Sequence, residues 1–421
     1  MLVLLSACGS QSSPQASSGA PVTIHIETQA SGTAPWDAVI KDFEKAYPSI
    51  KVQISYVPIA TYPQVLLTQL RGGHGPDLMY GSSGSGNPNS LLPLARAGYL
   101  YDLSHEPWSS QLPSTFDAYE KIGSARYMFP LDVPVIGVFY NPDLFRQLDV
   151  QVPATFSQLL SVCGQIKAKG KAAWVLAGAA PPNTGILSME LAANWVYGPD
   201  PSWDAERAAG KVTFSGSQLW KNALQRVIDM NKAGCFEQGV EGVQTEAARQ
   251  LFASGQAAMY GLPMAAYAAT KQLNPNLTIA TMPFPGPTPE TSYVPVAPSD
   301  SLAVNKASPV RSAAVRFIDF LARPQEARRM ATLQGAFSWS DYKQLEEGSL
   351  SQSDFQRTGL SWASGYLPTI RAKRVRQLGN LLWPNGKVYD VLGTDIQGLL
   401  TGQKTIDGTL SDMDAAWGSS S

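Results

Sequence analysis

Between residues 22 and 80 the chain alternates short β-rich runs with amphipathic stretches, and this order restricts the fold more than any other feature of it. Residues 22–28 form a β-rich run. Pro35 then opens a stretch with apolar positions at Trp36, Val39, Ile40, Phe43 and Tyr47, the spacing of one buried helical face. Residues 51–56 alternate as a strand, and residues 62–71 make a second helical stretch stopped by Gly72-Gly73. Residues 77–80 make a third strand that runs into a Gly/Ser loop at 81–86. Parallel strands need a crossover between them, so the order β-α-β-α-β predicts a parallel sheet covered by helices.

After a break the pattern resumes. Residues 135–140 read as a strand. Thr155-Phe156-Ser157-Gln158 reads as a capping box that opens a helix ending near Gly170, and residues 173–177 read as the next strand. A second capping box, Ser215-Gly216-Ser217-Gln218, opens a helix with Leu219, Trp220, Ala223, Leu224, Val227 and Ile228 on one face. That helix stops at Gly234. A helix around 246–253 ends at Gly255 and feeds a strand at 257–260; residues 277–282 are a further strand. Ser308-Pro309 reads as an N-cap with proline at the first helical position, and the tail from Lys387 as mostly helical. The 421 residues are enough for two or three domains.

Composition excludes several functions. Apolar residues make up 44% and charged residues 15%, too apolar a chain to stay disordered. No run reaches the roughly 18 apolar residues that a membrane-spanning helix needs. Lys+Arg is 32 and Asp+Glu 33, so no net field draws the chain to nucleic acid or an anionic membrane. His25, His74 and His105 are scattered and there is no CxxC, so neither a metal site nor a cofactor is expected. The nucleophile elbow, the phosphate loop and the dinucleotide fingerprint are all missing, which removes the most easily read enzyme chemistries.

The first residues carry the most specific local signal. Met1-Leu2-Val3-Leu4-Leu5-Ser6-Ala7 is an apolar run ending in small residues, and Leu5-Ser6-Ala7-Cys8 resembles the bacterial lipobox. In that motif the chain is cut before the cysteine, whose thiol carries diacylglycerol. Residues 1–8 are therefore expected to be a signal-peptide remnant with Cys8 lipidated. Residues 9–21, mostly Ser, Gln, Ala, Gly and Pro, are expected to be a flexible tether. Export would put Cys163 and Cys235 in an oxidising compartment, where they could pair.

Several segments then match one family in order. Phe43-Glu44-Lys45-Ala46-Tyr47-Pro48-Ser49-Ile50-Lys51-Val52, Gly75-Pro76-Asp77-Leu78 and Phe139-Tyr140-Asn141-Pro142-Asp143-Leu144-Phe145 come first. They are followed by Pro153-Ala154-Thr155-Phe156, Phe252-Ala253-Ser254-Gly255-Gln256-Ala257-Ala258-Met259 and Gly402-Gln403-Lys404-Thr405-Ile406-Asp407. Together they resemble the extracellular solute-binding proteins of ABC importers, in their carbohydrate-binding group. The resemblance implies an α/β, periplasmic-binding-protein-like fold: two α/β lobes joined by a three-crossing hinge, with the ligand cleft between them. The crossings fall near residues 132–136, 295–298 and 335–339. The first lobe is expected over 22–133 and 298–336, and the second over 134–297 and 337–421.

The resemblance implies a function as well. The expected ligand is a mono- or oligosaccharide, delivered by lobe closure to the permease subunits of an ABC transporter. The expected protein is a monomer held to the membrane by its lipid alone, outside the cytoplasmic membrane. Sugars need aromatic rings for their C–H faces, and carboxylates, amides and hydroxyls for their OH groups. Candidates on loops after strands are Gln29, Ser31, Tyr62, Tyr80, Ser82, Ser83 and Asp132 in and beside the first lobe. Asn183, Thr184, Gly261, Met264, Asp300, Trp339, Asp341 and Tyr366 complete the set. Trp36, on its helical face, reads as core. Arg371, Lys373, Arg374 and Arg376 form a basic run that would suit an anionic ligand. Where relatives place charged groups after the third strand, this chain has Gly81-Ser82-Ser83-Gly84-Ser85, which leaves the ligand open. Three classes stay in view: a sugar carrier, a carrier of another or phosphorylated solute such as glycerol phosphate, and a secreted hydrolase. No carboxylate pair sits at a spacing that suggests the third.

Overall fold

A computed structural model describes residues 21–29, 36–59, 61–264 and 266–419. The lipobox, Cys8, most of the tether and Ser31 lie outside these described residues.

The β-α-β-α-β reading of the first segment is borne out element by element. The strands are Val22–Gln29, Ile50–Val57 and Leu78–Ser82, and the helices Trp36–Ala46 and Tyr62–Arg71. Val22–Gln29 lies between the other two strands and runs parallel to both. Two further strands, Asp300–Val304 and Phe129–Pro130, complete a five-stranded sheet. Trp36, Val39 and Phe43 are buried, as the helical face predicts, in one cluster with Phe317, Ile318 and Leu321 from the helix Arg311–Leu321.

The second sheet holds Ala280–Met282, Ile136–Tyr140, Ala257–Pro263 and Ala172–Val175, in that spatial order. It is mixed, not parallel: Ile136–Tyr140 runs antiparallel to both neighbours. Asp300–Val304 does the same in the first sheet. The two share a cause. Each follows a hinge crossing and enters its lobe from the cleft end, against the strands delivered by helical crossovers.

The crossings themselves lie side by side. Phe337 and Val133 exchange backbone hydrogen bonds at 2.9 and 3.2 Å. Val135 bridges Val296, and Val294–Val296 pairs in parallel with Val375–Gln377. Apolar packing then divides the tail, which was expected to lie wholly in the second lobe from residue 337. Phe337, Trp339, Tyr342, Phe355, Tyr366 and Ile370 join the core of the first sheet. Trp383, Val388, Leu392 and Ile396 join that of the second.

Two caps differ from expectation. The second capping box caps through Ser217, whose hydroxyl accepts the Trp220 N–H; Ser215 instead donates to Asp414 at 2.7 Å. Ser308 is not an N-cap but donates to Asp77 at 2.6 Å, and the helix starts at Arg311. The helix Pro181–Trp195 carries no periodic signal because it is covered nearly all round, with Asn183, Leu187, Glu190 and Asn194 all buried. Cys163, on the helix Phe156–Ala168, and Cys235, just before the residue that bridges Trp174, are joined by a disulfide inside the second core.

Candidate functional site

In both sheets the carboxyl ends of the parallel strands lie beside the crossings. Ser82, at the end of the third strand, pairs with Asp300; Pro263, at the end of Ala257–Pro263, pairs with Ile136. Loops from both lobes therefore converge on the hinge, the position where open α/β sheets take their ligands.

The first-lobe wall is made of small polar groups. Ser82 donates to Asn89 Oδ1 at 3.1 Å, and Asn89 Nδ2 donates to Gln29 Oε1 at 3.4 Å. The hydroxyls of Ser83 and Ser301 lie 2.7 Å apart. The Gly/Ser composition of this loop has a structural reason: tail residues Asn380 and Leu381 press onto it. Ser85 N–H donates to Leu381 O at 2.7 Å, and Gly84, at φ +79°, has no room for a Cβ beneath the same carbonyl. Beside the first crossing, Asp132 Oδ1 accepts the Asp300 N–H at 2.9 Å.

The second-lobe wall supplies amide, carboxyl and rings. Asn183, in the first turn of Pro181–Trp195, accepts from the Tyr260 hydroxyl at 3.0 Å and donates to Thr245 at 3.3 Å. Tyr389 donates to Pro182 O at 3.0 Å. Tyr267 and Trp362, both half-buried, stack at 4.0 Å with an interplanar angle of 3°. Burial pushes the Glu237 carboxyl up to about 7, against backbone N–H groups that lower it. Tyr267, Glu237 and Tyr389 are not among the sequence candidates: Glu237 follows no strand, and Tyr389 lies in the first turn of the helix Lys387–Thr401. The Asp132–Asp300 pairing was also missed, its members being 168 residues apart.

Seven sequence candidates turn out to be structural. Trp339 is 4% exposed, its ring packed in the first core. Asp341 accepts from Arg328 Nε at 3.0 and 3.1 Å and from Ser338 at 2.7 Å, so its oxygens are committed. The Tyr62 hydroxyl is buried between the carbonyls of Glu27 and Tyr80, and Thr184 donates to Gly393 O at 2.6 Å. Met264 is core. Gly261 is a strand residue where a Cβ would sit 2.5 Å from Glu190 Oε2, and Tyr366 packs its ring over Gly137. Loop position alone did not distinguish cleft from core at these seven. The basic run also changes meaning. Arg374 donates to Pro289 O at 2.8 Å; Arg376 donates to Tyr197 O at 2.7 Å and stacks on Tyr293.

Two lobes, a hinge of adjacent crossings and converging polar and aromatic loops define a binding protein that takes its ligand between lobes. The profile of the family described as bacterial extracellular solute-binding protein matches residues 28–328, and the chain belongs to that family. It is 23% identical over 350 residues to the multiple sugar-binding protein of Streptococcus mutans, covering 79% of each chain. It is 22% identical over 388 residues to the sn-glycerol-3-phosphate-binding periplasmic protein UgpB of Brucella abortus, covering 87% of this chain and 86% of that one. Its fold matches the solute-binding protein RafE in complex with raffinose at a TM-score of 0.73 and 21% identity, covering 94% and 98% of the two chains. These relatives are named as binding proteins.

Proposed function

We propose that this protein binds a small carbohydrate in the cleft between its lobes, outside the cytoplasmic membrane, and passes it to the permease of an ABC importer without chemical change. The observation that carries the reading is the cleft chemistry. Hydroxyls and amides at Gln29, Ser82 and Asn183, carboxyls at Asp132 and Asp300, and rings at Tyr267, Trp362 and Tyr389 are what a polyhydroxylated ring with apolar C–H faces requires. The sugar-binding relatives support it. A ligand that touches both lobes is held better with them shut, so binding drives closure. The phosphorylated-solute reading rests on the glycerol-phosphate-binding relative and on the basic run, of which Arg374 and Arg376 are already bound to backbone carbonyls.

The test uses raffinose as probe. Saturating raffinose is expected to raise the melting temperature, by about 2.7 kcal/mol of stability at one hundred times the dissociation constant. Asp132→Ala is expected to weaken binding in calorimetry by up to about one decade, the loss of a hydrogen bond worth roughly 0.5–1.5 kcal/mol. No thermal shift with raffinose or any saccharide in a mono- to tetrasaccharide panel would remove the carbohydrate assignment.

Anchoring at Cys8 belongs to the same proposal and is supported by the lipobox-like sequence. Expressed behind a native export signal in a bacterium, the protein is expected in the membrane fraction and its Cys8→Ser variant in the soluble fraction. Equal partitioning of both would end the lipoprotein reading.

A further inference from the structure

Two members of the basic run, Lys373 and Arg376, line a cavity of about 360 Å³ that shares no residue with the candidate cleft. Pockets for small molecules span about 300–1,000 Å³, so its size suits one small organic molecule. The second crossing forms one wall, at Val296 and Pro298. The others come from the turn Ser114–Phe116, the helix Trp339–Glu347 and the tail.

The floor is apolar. Phe116 and Tyr342 stack with ring centroids 5.6 Å apart and planes 19° from parallel, and Val296 and Ile370 belong to the same buried cluster. The rim is charged. Arg376 directs three N–H groups to the carbonyls of Tyr197, Gly198 and Val375, which satisfies donors but leaves its charge without a counterion. Among the described residues neither Lys373 nor Arg376 forms an ion pair. Glu346 is the one carboxyl among the lining residues, and burial raises it, against a hydrogen bond from Thr115. Two cations therefore face one carboxyl.

Lys373 also stands on strained backbone. Its φ is +56°, and it is one of two non-glycine residues with a positive φ among the described residues. It is the second residue past the helix Leu367–Arg371, and its N–H donates to Ile370 O at 2.8 Å. The helices ending at Arg71, Ala168, Lys232, Ala253 and Leu333 reach the same place with Gly73, Gly170, Gly234, Gly255 and Gly335, all at positive φ. Glycine takes this backbone without strain, so the helix end alone does not account for a lysine here. Its ammonium, brought to the cavity rim, does.

We propose that this cavity is a second ligand site, for a small organic anion with a ring-bearing apolar body. Phe116 and Tyr342 take the body, and Lys373 with Arg376 takes the charged end. The site is independent of the carbohydrate reading.

The probe is 2-naphthoate, with 2-naphthamide as its neutral counterpart. Calorimetry at pH 7 is expected to show one naphthoate per chain, with a dissociation constant below about 1 mM. The amide is expected to bind about tenfold more weakly, through loss of hydrogen bonds to a charged group. Lys373→Gly removes the ammonium and relieves the backbone. It is expected to weaken naphthoate about tenfold while the melting temperature does not fall. Lys373→Asn, which also tolerates a left-handed backbone, is expected to do the same. Saturating raffinose is expected to leave naphthoate bound. The site is overturned if naphthoate fails to saturate by about 10 mM or the amide matches it. It is equally overturned if both Lys373 variants bind naphthoate unchanged or raffinose displaces it. A protein that binds naphthoate in this way and no saccharide keeps the site and loses the carbohydrate assignment.

Discussion

Replacing Cys163 and Cys235 together by alanine is expected to lower the unfolding free energy by about 4 kcal/mol. The bond ties residues separated by 72 positions, and a cross-link over that length removes much of the loop entropy of the unfolded chain. Within the fold it fixes the helix Phe156–Ala168 to the strand edge extended by Phe236, which bridges Trp174. Both sulfurs are fully buried, so the fold shields the disulfide from a reductant until the second lobe opens. Urea denaturation of oxidised wild type, reduced wild type and the double variant decides the point. The last two should agree, both well below the first. Three coincident curves would mean that the bond does not constrain the unfolded chain.

The second large effect lies in the first lobe. Arg126 is 1% exposed, and its guanidinium reaches Glu120, Asp117 at 2.6 Å and Ser109 at 3.1 Å. Glu120 is fully buried, and among the described residues no cation but Arg126 forms an ion pair with it. Arg126→Met keeps the apolar stem but leaves that carboxyl alone, and breaking a buried pair from one side costs about 3–5 kcal/mol. Glu120→Leu added to Arg126→Met should restore most of the loss, because the unpaired carboxyl goes with it. Urea unfolding of the single and double variants at pH 9, where the Glu120 carboxyl of the wild type is ionised, tests this; equal stability of the two would refute the explanation.

The same site fixes a pH dependence. Burial pushes the Glu120 carboxyl up to about 8, though Arg126 pulls it down. Its unfolded value is about 4.3. Below that value both states hold the proton and the contribution to stability is complete. Between about 4.3 and 8 the unfolded chain ionises first, so stability falls as pH rises through this window. Arg126→Met should carry that fall to higher pH.

The sheets and helices were legible where packing is one-sided. Trp36, Val39 and Phe43 announce their face because the opposite face of that helix meets water. The helix Pro181–Trp195 announced nothing, since it is covered nearly all round and its apolar pattern has no period. Hairpin-free crossovers gave the parallel part of each sheet, whereas the antiparallel strands Ile136–Tyr140 and Asp300–Val304 depend on which end of the lobe the chain enters. Ser82, Ser83, Asp132, Asn183 and Asp300, read as candidates because they follow strand ends or border a crossing, do lie at those places in the fold. The candidate site was illegible at Trp339, Asp341 and Tyr366, which look like loop residues in sequence and are drawn into the first core by the tail.

The sequence by itself determined the local order of strands and helices, the turns that glycine forces and the family likeness, because those depend on neighbours within a few residues. Only the tertiary structure decided which polar groups are free for a ligand. Asp341 is paired with Arg328, thirteen residues away, while Asp132 accepts the backbone N–H of Asp300, 168 residues away, and among the described residues pairs with no cation. Both are buried aspartates, and nothing in their flanking residues tells them apart. The difference is the neighbour that folding sets beside each one, and in a medium that screens poorly a charged neighbour outweighs anything in the local sequence.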